Sequence, residues 1–197
     1  MMDDVLLEAK SLTLTVGQKK LLQEANFVFF QSGNVVIEGQ NGSGKSSLLK
    51  EIYFRSHRSE VWKWNGVPQK ISYLSHELGL YTSLSLWENL EFFLGEKIAR
   101  SEKSEELLKK FKLEKRIWDP ISTYSRGMKQ KSALMRILLS EARILLLDEP
   151  YTGLDVESSE ILTNELNRIS KQKLILLVLH GMVNGLTIRD RIQLGKG

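Results

Sequence analysis

The sequence predicts an α/β fold built around a parallel sheet, and three apolar segments carry this prediction. The runs 35–37, 144–147 and 174–179 contain no polar residue, which is typical of strands buried on both faces. The first run is followed by a glycine-rich segment and then by the amphipathic stretch 47–53. This order of strand, loop and helix places a turn at the carboxyl end of a buried strand, where α/β proteins bind ligands.

The glycine-rich segment matches the phosphate-binding loop pattern G-x-x-x-x-G-K-[ST]. In such a loop, backbone N–H groups surround a triphosphate and the helix N-terminus adds positive potential. We expect Lys45 to reach the β- and γ-phosphates and Ser46 to bind Mg²⁺. A glycine-rich turn that binds nothing is the alternative. The expected nucleotide-binding residues are Gly39, Gln40, Asn41, Gly42, Ser43, Gly44, Lys45, Ser46 and Ser47.

Two carboxylates follow the second apolar strand. Asp148 and Glu149 stand directly after Ile144–Leu147. We expect Asp148 to lie in the Mg²⁺ shell, which leaves Glu149 to polarise an attacking water. An acidic turn without a chemical role is the alternative for this pair. Together with the loop, the pair predicts phosphoryl transfer to water, which needs positioning and charge stabilisation.

The remaining patterns predict one domain, 1–197, with an α/β core at about 1–81 and 141–197 and a helical subdomain at about 82–140. Ser85 and Glu88 form a capping box that predicts a helix start. Trp62 and Trp64 share one sheet face, where we expect packing. Strands are expected at 5–7, 12–16, 26–30, 34–38, 61–64 and 71–75, with closing strands at 187–194, and further helices at 128–139 and 155–169.

The composition is that of an ordinary globular protein, with 42% hydrophobic and 26% charged residues. The sequence has no cysteine, which excludes disulfides and thiolate metal sites. No apolar run reaches the roughly 18 residues of a membrane-spanning helix. The net charge of +4 could favour phosphate ligands, anionic lipid or nucleic acid. No cluster of five basic residues occurs, so a solvated surface is the simpler interpretation and nucleic acid is not an expected partner.

Three further motifs stand in a fixed order along the chain. The segment Tyr124–Lys131 precedes the acid pair, Gly153–Asp155 follows it, and His180 comes directly after the last apolar strand. In this order they resemble the signature, the D-loop and the switch histidine of the ATP-binding cassette (ABC) proteins. The resemblance covers nearly the whole chain. It implies a P-loop NTPase fold, the ABC-type nucleotide-binding domain, with an antiparallel β subdomain beside the α/β core and a helical insertion.

The resemblance also implies cofactors, partners and roles. ATP and Mg²⁺ are the implied cofactors, with Glu149, His180 and Lys45 as catalytic residues and Ser46, Asp148 and His76 near the metal. A homodimer would form on ATP binding, and the signature and D-loop residues would contact ATP held by the opposite copy. Those residues are Ser125, Arg126, Gly127, Met128 and Asp155. The closure of this dimer would be passed to a separate transmembrane permease. Through the permease, the chain would be a cytoplasmic, peripheral protein on the inner face of the cell membrane. The chain itself has no expected span.

Four positions, in three motifs, depart from the pattern of the family. His76 stands where the Q-loop usually has glutamine, so the geometry toward Mg²⁺-bound water would differ. Val16 replaces the aromatic residue that usually stacks on adenine, which implies weaker base binding and looser selection between ATP and GTP. Arg126 and Met128 replace glycine and glutamine in the signature.

A longer segment points to one branch of the family. Tyr73–Tyr81, followed by Leu84 and Glu88–Leu90, resembles the haem-exporter ATPase subunit of cytochrome c maturation systems. The resemblance implies an ATP-hydrolysing subunit of an exporter, and the apolar segment 76–87 is the expected docking surface for the permease. One alternative is a non-transport ABC ATPase that acts on a ribosome, nucleic acid or regulatory complex. A P-loop kinase is another, but it leaves 124–131 and His180 without a role.

Overall fold

The computed structural model describes residues 4–195, so the predicted domain limits 1 and 197 lie outside it. Its strands are β1 Val5–Val16, β2 Lys19–Phe30, β3 Gly33–Gly39, β4 Trp62–Trp64, β5 Ile71–Leu74, β6 Ile144–Asp148, β7 Leu174–Val178 and β8 Asp190–Leu194. They form a three-stranded antiparallel sheet of order β2-β1-β4 and a five-stranded parallel sheet of order β5-β6-β7-β3-β8. The predicted α/β fold with an antiparallel β subdomain is confirmed.

The helices are α1 Lys45–Arg55, α2 Leu86–Leu94, α3 Glu96–Ala99, α4 Glu102–Lys110, α5 Arg126–Leu138 and α6 Val156–Ile169, with 3₁₀ turns at Glu114–Arg116 and Ile121–Thr123. Between β5 and β6, a stretch that the structure describes throughout, the regular elements are helical, which agrees with the predicted insertion. The domain borders near residues 82 and 140 remain a prediction. None of the helices within residues 4–195 is both long enough and apolar enough to cross a membrane.

The parallel sheet separates two hydrophobic cores, which explains why its central strand β7 and the first four residues of β6 are apolar. Every residue of β6 and β7 is buried. Leu145 and Leu147 of β6 point into a core that also contains residues of α5 and α6. Ile144 and Leu146 point into the other core, which contains residues of α1 and the antiparallel sheet. Successive side chains of a strand face opposite sides, so a strand covered on both sides needs apolar residues at every position.

The antiparallel sheet differs from the sequence prediction. The runs 5–7 and 12–16 belong to one twelve-residue strand, and β2 begins at residue 19 instead of 26. The register between β1 and β2 shifts between Ala9 and Leu12. Ser11 at this bulge has a φ of 52°, and its N–H donates to Asn26 Oδ1 over 2.9 Å. The extra polar residues of the bulge interrupted the apolar alternation from which the strand was predicted.

Several other local predictions are confirmed. The capping box at Ser85 and Glu88 is present, and Asp155 caps α6, which ends at Ile169 as predicted. Trp62 and Trp64 both pack against the core beside the antiparallel sheet, which confirms the packing role.

Helix α5 begins two residues before the predicted start, because the hydroxyl of Ser125 caps it. Of the predicted closing segment 187–194, only Asp190–Leu194 is a strand.

A buried asparagine holds the entrance to the helical region. Asn89 on α2 has no exposed surface. Its Nδ2 donates to the backbone oxygens of Tyr81 at 3.0 Å and Ser85 at 2.8 Å, and its Oδ1 accepts the Tyr81 N–H at 2.8 Å. Both donors of the amide are therefore used, together with its acceptor oxygen. This one side chain adds to the backbone bonds of the loop between residues 81 and 85, where the Leu84 N–H donates to the Tyr81 oxygen over 3.2 Å.

We expect Asn89→Ala to lower the free energy of unfolding by about 2–3 kcal/mol, because the Tyr81 N–H would lose its partner inside the protein and the oxygens of Tyr81 and Ser85 would each lose one donor. Asn167→Ala is the matched control. Asn167 also donates to one backbone oxygen, of Gly185, and accepts one N–H, from Thr187, but in solvent-exposed bonds that water can replace. Its loss should cost less than about 1 kcal/mol. Urea unfolding followed by circular dichroism measures both, and equal losses would contradict the role of burial.

Candidate functional site

The loop between β3 and α1 depends on glycine at its first position. Gly39 has a φ of 152°, and a Cβ there would lie 2.5 Å from Ser43 Oγ and 2.6 Å from the Leu194 oxygen. Such contacts exclude any side chain unless the backbone shifts. The Ser43 N–H also donates to the Gln40 oxygen over 3.1 Å, which closes a tight turn. The close approach to β8 and this turn together set the curvature of the loop.

Lys45, the first residue of α1, lies across its own loop. Its side chain is buried, and Nζ donates to the backbone oxygens of Gly39 at 2.8 Å and Gln40 at 3.0 Å. An ammonium has three donors, so one remains beside the cleft that Lys45 helps to line. The cation therefore stands at the N-terminus of a helix, where backbone N–H groups add to its positive potential.

A serine hydroxyl and a buried carboxylate face each other beside the loop. Ser46 Oγ donates to Asp148 Oδ1 over 3.0 Å, and Asp148 is 7% exposed at the end of β6. Burial raises the pKa of Asp148. The Ser46 hydrogen bond opposes this rise, whereas the neighbouring Glu149 carboxylate adds to it. Oxygen ligands of this kind suit Mg²⁺, and a bound cation would offset the cost of the buried charge. Within residues 4–195, three or more Asp, Glu or His side chains never converge on one metal position.

Glu149 and His180 meet because β6 and β7 are neighbours. Glu149 Oε1 lies 2.5 Å from His180 Nε2. The Glu149 backbone has a φ of 53°, and its N–H donates to the Val178 oxygen over 3.0 Å. Thr152 Oγ1 donates to the other carboxylate oxygen over 3.4 Å. A left-handed backbone is unusual for glutamate, and here it turns the carboxylate toward the cleft while the strand beneath it stays paired.

These groups surround one open cleft of about 560 Å³, a volume typical of small-molecule sites. The lining residues are Val16, Lys19, Leu21, Asn41, Gly42, Gly44, Lys45, Ser46, Ser47, Glu149 and His180. Val16 is 56% exposed and leaves this wall without an aromatic ring. Lys19, Leu21 and Thr152 carried no sequence signal. Lys19 and Leu21 reach the cleft only through the register of the β1–β2 pair, which no motif in the sequence marks.

The signature segment opens α5. Ser125 Oγ accepts the Met128 N–H over 3.2 Å, and Ser125 and Arg126 are exposed. A Cβ on Gly127 would lie 3.0 Å from the oxygen of Gly153, so the first turn of α5 contacts the predicted D-loop directly. Asp155 adds a bond across the same contact, because Lys131 Nζ donates to its Oδ2 over 2.8 Å.

His76 lies near the acids without bonding to Asp148 among the residues that the structure describes. It is exposed, and it lines a smaller cleft of about 250 Å³ together with Arg126, Asp148 and Glu149. Positive charge on His76 opposes the burial that raises the pKa of Asp148. The structure thus brings together the loop, the acid pair and His180, with His76 at the margin. Of the signature residues, Arg126 lines this smaller cleft, and none lines the larger cleft of its own chain.

A family model described as "ABC transporter" matches residues 22–152, which is more than half of the chain. The chain belongs to this family. The match spans the phosphate-binding loop, the signature segment and the acid pair, so the ATP-binding cassette that the motifs predicted is confirmed. Membership implies a domain that binds ATP, usually with Mg²⁺, and an ATPase activity.

Several ABC proteins are similar over most of this length. The "Cytochrome c biogenesis ATP-binding export protein CcmA" of Pasteurella multocida (strain Pm70) is 34% identical over 80% of this chain and 79% of its own. The "Spermidine/putrescine import ATP-binding protein PotA" of Borreliella afzelii is 29% identical over 97% of this chain and 60% of its own. A solved structure described as "Structure of ATP binding subunit of ABC transporter" has a TM-score of 0.75 and 30% identity, over 89% of this chain and 79% of its own. This chain is an ABC transporter ATP-binding subunit, and its predicted likeness to cytochrome c maturation ATPases is confirmed.

We expect Gly39→Ala to weaken ATP binding at least about tenfold, because the new Cβ would displace Ser43 or the Leu194 backbone and deform the loop. Gly66→Ala is the control. Gly66 also has a positive φ, of 93°, but a Cβ there would meet no described atom within 4 Å, and Gly66 does not line the cleft. The affinity of Gly66→Ala for Mg-ATP should stay within about twofold of the unmodified chain. Titration calorimetry with Mg-ATP measures both variants, and equal affinities would contradict this role of Gly39.

Proposed function

We propose that the chain hydrolyses ATP to ADP and phosphate as the ATPase subunit of an exporter whose membrane permease is a separate chain. The observation that carries the proposal is the meeting of the loop, Glu149 and His180 around one cleft. The greater identity to a cytochrome c biogenesis export protein than to a polyamine import protein supports export, with haem as the proposed cargo.

In this proposal the loop holds the triphosphate. Backbone N–H groups of residues 40–46, apart from that of Ser43, and the third donor of Lys45 bind phosphate oxygens. Ser46 and Asp148 would hold Mg²⁺, which would neutralise charge on the β- and γ-phosphates. His76 lines the smaller cleft together with Asp148 and would contact water beside the metal from there. The exposed Val16 binds the base loosely, since it offers no ring to stack on.

Hydrolysis then needs a base and a group at the γ-phosphate. Glu149 accepts a proton from water while the water oxygen attacks phosphorus, and the bond to the β–γ bridging oxygen breaks. His180 Nε2 stands 2.5 Å from that carboxylate, and with ATP bound it would donate to the γ-phosphate instead. Thr152 and the Val178 oxygen fix the orientation of Glu149, so the base needs little rearrangement.

A second copy of the chain completes each site. Ser125 caps a thirteen-residue helix that begins with Arg126, Gly127 and Met128, and Ser125 and Arg126 are exposed. A helix start of this kind binds anions well. The contact of Gly127 with Gly153 and the Lys131–Asp155 ion pair keep the signature and the D-loop together as one surface. We infer that this surface covers the ATP of the opposite copy.

The permease has a candidate docking surface on the other side of His76. A cleft of about 870 Å³ lies between α1, the loop after β5 and α2. Its aromatic residues are Tyr53, Phe54, Tyr73, Tyr81 and Phe93, and the exposed Phe92 continues the surface. Exposed rings this close together indicate a partner surface, and Lys50 supplies a cation at its edge. We propose an amphipathic cytoplasmic helix of the permease, with an acidic residue facing Lys50, as the occupant.

We expect Glu149→Gln to reduce ATP hydrolysis by a factor on the order of 10² or more while Mg-ATP affinity stays within threefold, because the amide cannot accept the proton but keeps the shape. Phosphate release and titration calorimetry measure the two effects. Lys45→Ala is the contrasting variant, since it should lose binding itself. Near-normal turnover in Glu149→Gln would remove Glu149 from the role of base.

We expect Phe54→Asp to abolish co-purification with the permease, because it places a desolvated charge in the aromatic cleft. Val67→Asp is the control, since Val67 is 77% exposed and lies outside that cleft. The untagged partner is identified by mass spectrometry after extraction from native membranes. Recovery of a ribosomal or nucleic-acid complex instead of a membrane-spanning protein would contradict the transport function.

A further inference from the structure

One arginine joins the predicted signature helix to the loop that carries His76. Arg136 lies on α5, and its Nη2 donates to the backbone oxygens of Tyr73 and Leu78, each over 3.2 Å. Its guanidinium carbon lies 4.9 Å from the centre of the Phe93 ring on α2. The side chain therefore contacts β5, the loop after it and the first long helix of the insertion.

The two oxygens bracket His76, so the bonds fix the loop from both sides. Leu78 has a φ of 62°, an unusual value for a branched side chain, and its N–H donates to the Ser75 oxygen over 3.0 Å. The next N–H, of Gly79, donates to the Glu77 oxygen over 2.8 Å. A left-handed leucine in a tight turn persists only where surrounding contacts hold it. Arg136 provides such a contact at the Leu78 oxygen.

The position is costly for a cation, which argues against a mere space-filling role. Nε of Arg136 is buried and has no hydrogen-bond partner among residues 4–195, and burial lowers the pKa of the guanidinium. The two carbonyl oxygens and the face of the Phe93 ring compensate the charge. A hydrocarbon side chain would avoid the cost of the unpaired Nε but could not bind two carbonyl oxygens.

We propose that Arg136 is a positioning residue that holds His76 beside the acid pair and ties that loop to the signature helix. Arg126 at the start of the same helix lines one cleft with His76, Asp148 and Glu149. The helix joins Arg126 to Arg136 as one rigid element about 15 Å long. Arg136 and Phe93 also line the aromatic cleft, so a segment seated there would meet this link directly. The inference rests on the proposed function, in which His76 acts near the nucleotide.

A double-mutant cycle on ATP hydrolysis tests the functional half of the proposal. Arg136→Lys keeps the charge but loses the planar set of donors of the guanidinium. We expect kcat to fall about tenfold, because the loop that carries His76 would shift. In a His76→Ala background the same change should alter kcat less than twofold, since the residue that it positions is gone. If the double variant instead lost kcat by the product of the two single losses, the two residues would act independently and the proposal would be overturned.

Lys103→Ala is the matched control for this cycle. Lys103 Nζ also donates to a backbone oxygen, that of Leu138 at the end of the same helix, over 3.1 Å, and it lies outside both clefts that His76 lines. Its kcat should stay within twofold in either background. Phe93→Leu is a second variant that removes the ring but keeps both carbonyl bonds. It should lower kcat two- to fivefold, again only when His76 is present.

Hydrogen exchange tests the positioning itself without any ATPase activity. In Arg136→Lys, the amides of Leu78 and Gly79 should exchange at least about tenfold faster than in the unmodified chain, while the interior of α5 changes less than twofold. Unchanged loop exchange, or equal acceleration throughout α5, would overturn the proposal. If the unmodified chain lacks ATPase activity, the proposed function fails, whereas the exchange measurement still decides whether Arg136 holds the loop.

Discussion

The site depends on the pairing of β6 with β7, and of β7 with β3, in one parallel sheet. This pairing brings three strand ends to one edge, and those ends carry the phosphate-binding loop, the acid pair and His180. The hydrogen bond from the Glu149 N–H to the Val178 oxygen extends the pairing one residue beyond β6. The ten residues of β6 and β7 are all buried, so sliding one strand past the other would break both cores at once. The strand ends that carry the proposed catalytic groups are thus fixed by the two cores of the protein.

Much of this arrangement could be predicted from the sequence because it is encoded locally. The glycine-rich loop, the acid pair after an apolar run and the capping box each occupy a few adjacent residues, and the structure places each of these features where expected. The β1–β2 bulge at Ser11, and with it the place of Lys19 in the cleft, depends on pairing between distant residues. Arg136 lies 58 residues from Leu78 in the chain, so no local pattern marks their bond. The roles of the site residues remain predictions.

The contacts around α5 suggest how separate parts of the domain act together. At its start, Gly127 lies against Gly153, and Gln130 Nε2 donates to the Pro150 oxygen over 2.8 Å. These bonds attach the helix to the segment directly after the acid pair. Further along, Arg136 attaches it to the loop after β5. One helix therefore contacts both the segment after the acid pair and the loop after β5. A displacement of one segment would be transmitted to the other through this rigid helix.

The bonds that Lys45 makes within its own loop have a consequence for association. Its ammonium rests on the oxygens of Gly39 and Gln40, so two hydrogen bonds already hold the side chain that would meet an anion. Little side-chain entropy remains to be lost on capture, and the free energy of each new charge-assisted contact is retained as affinity. The loop is in this sense preformed, and the binding of an anion needs little rearrangement of its lysine side chain.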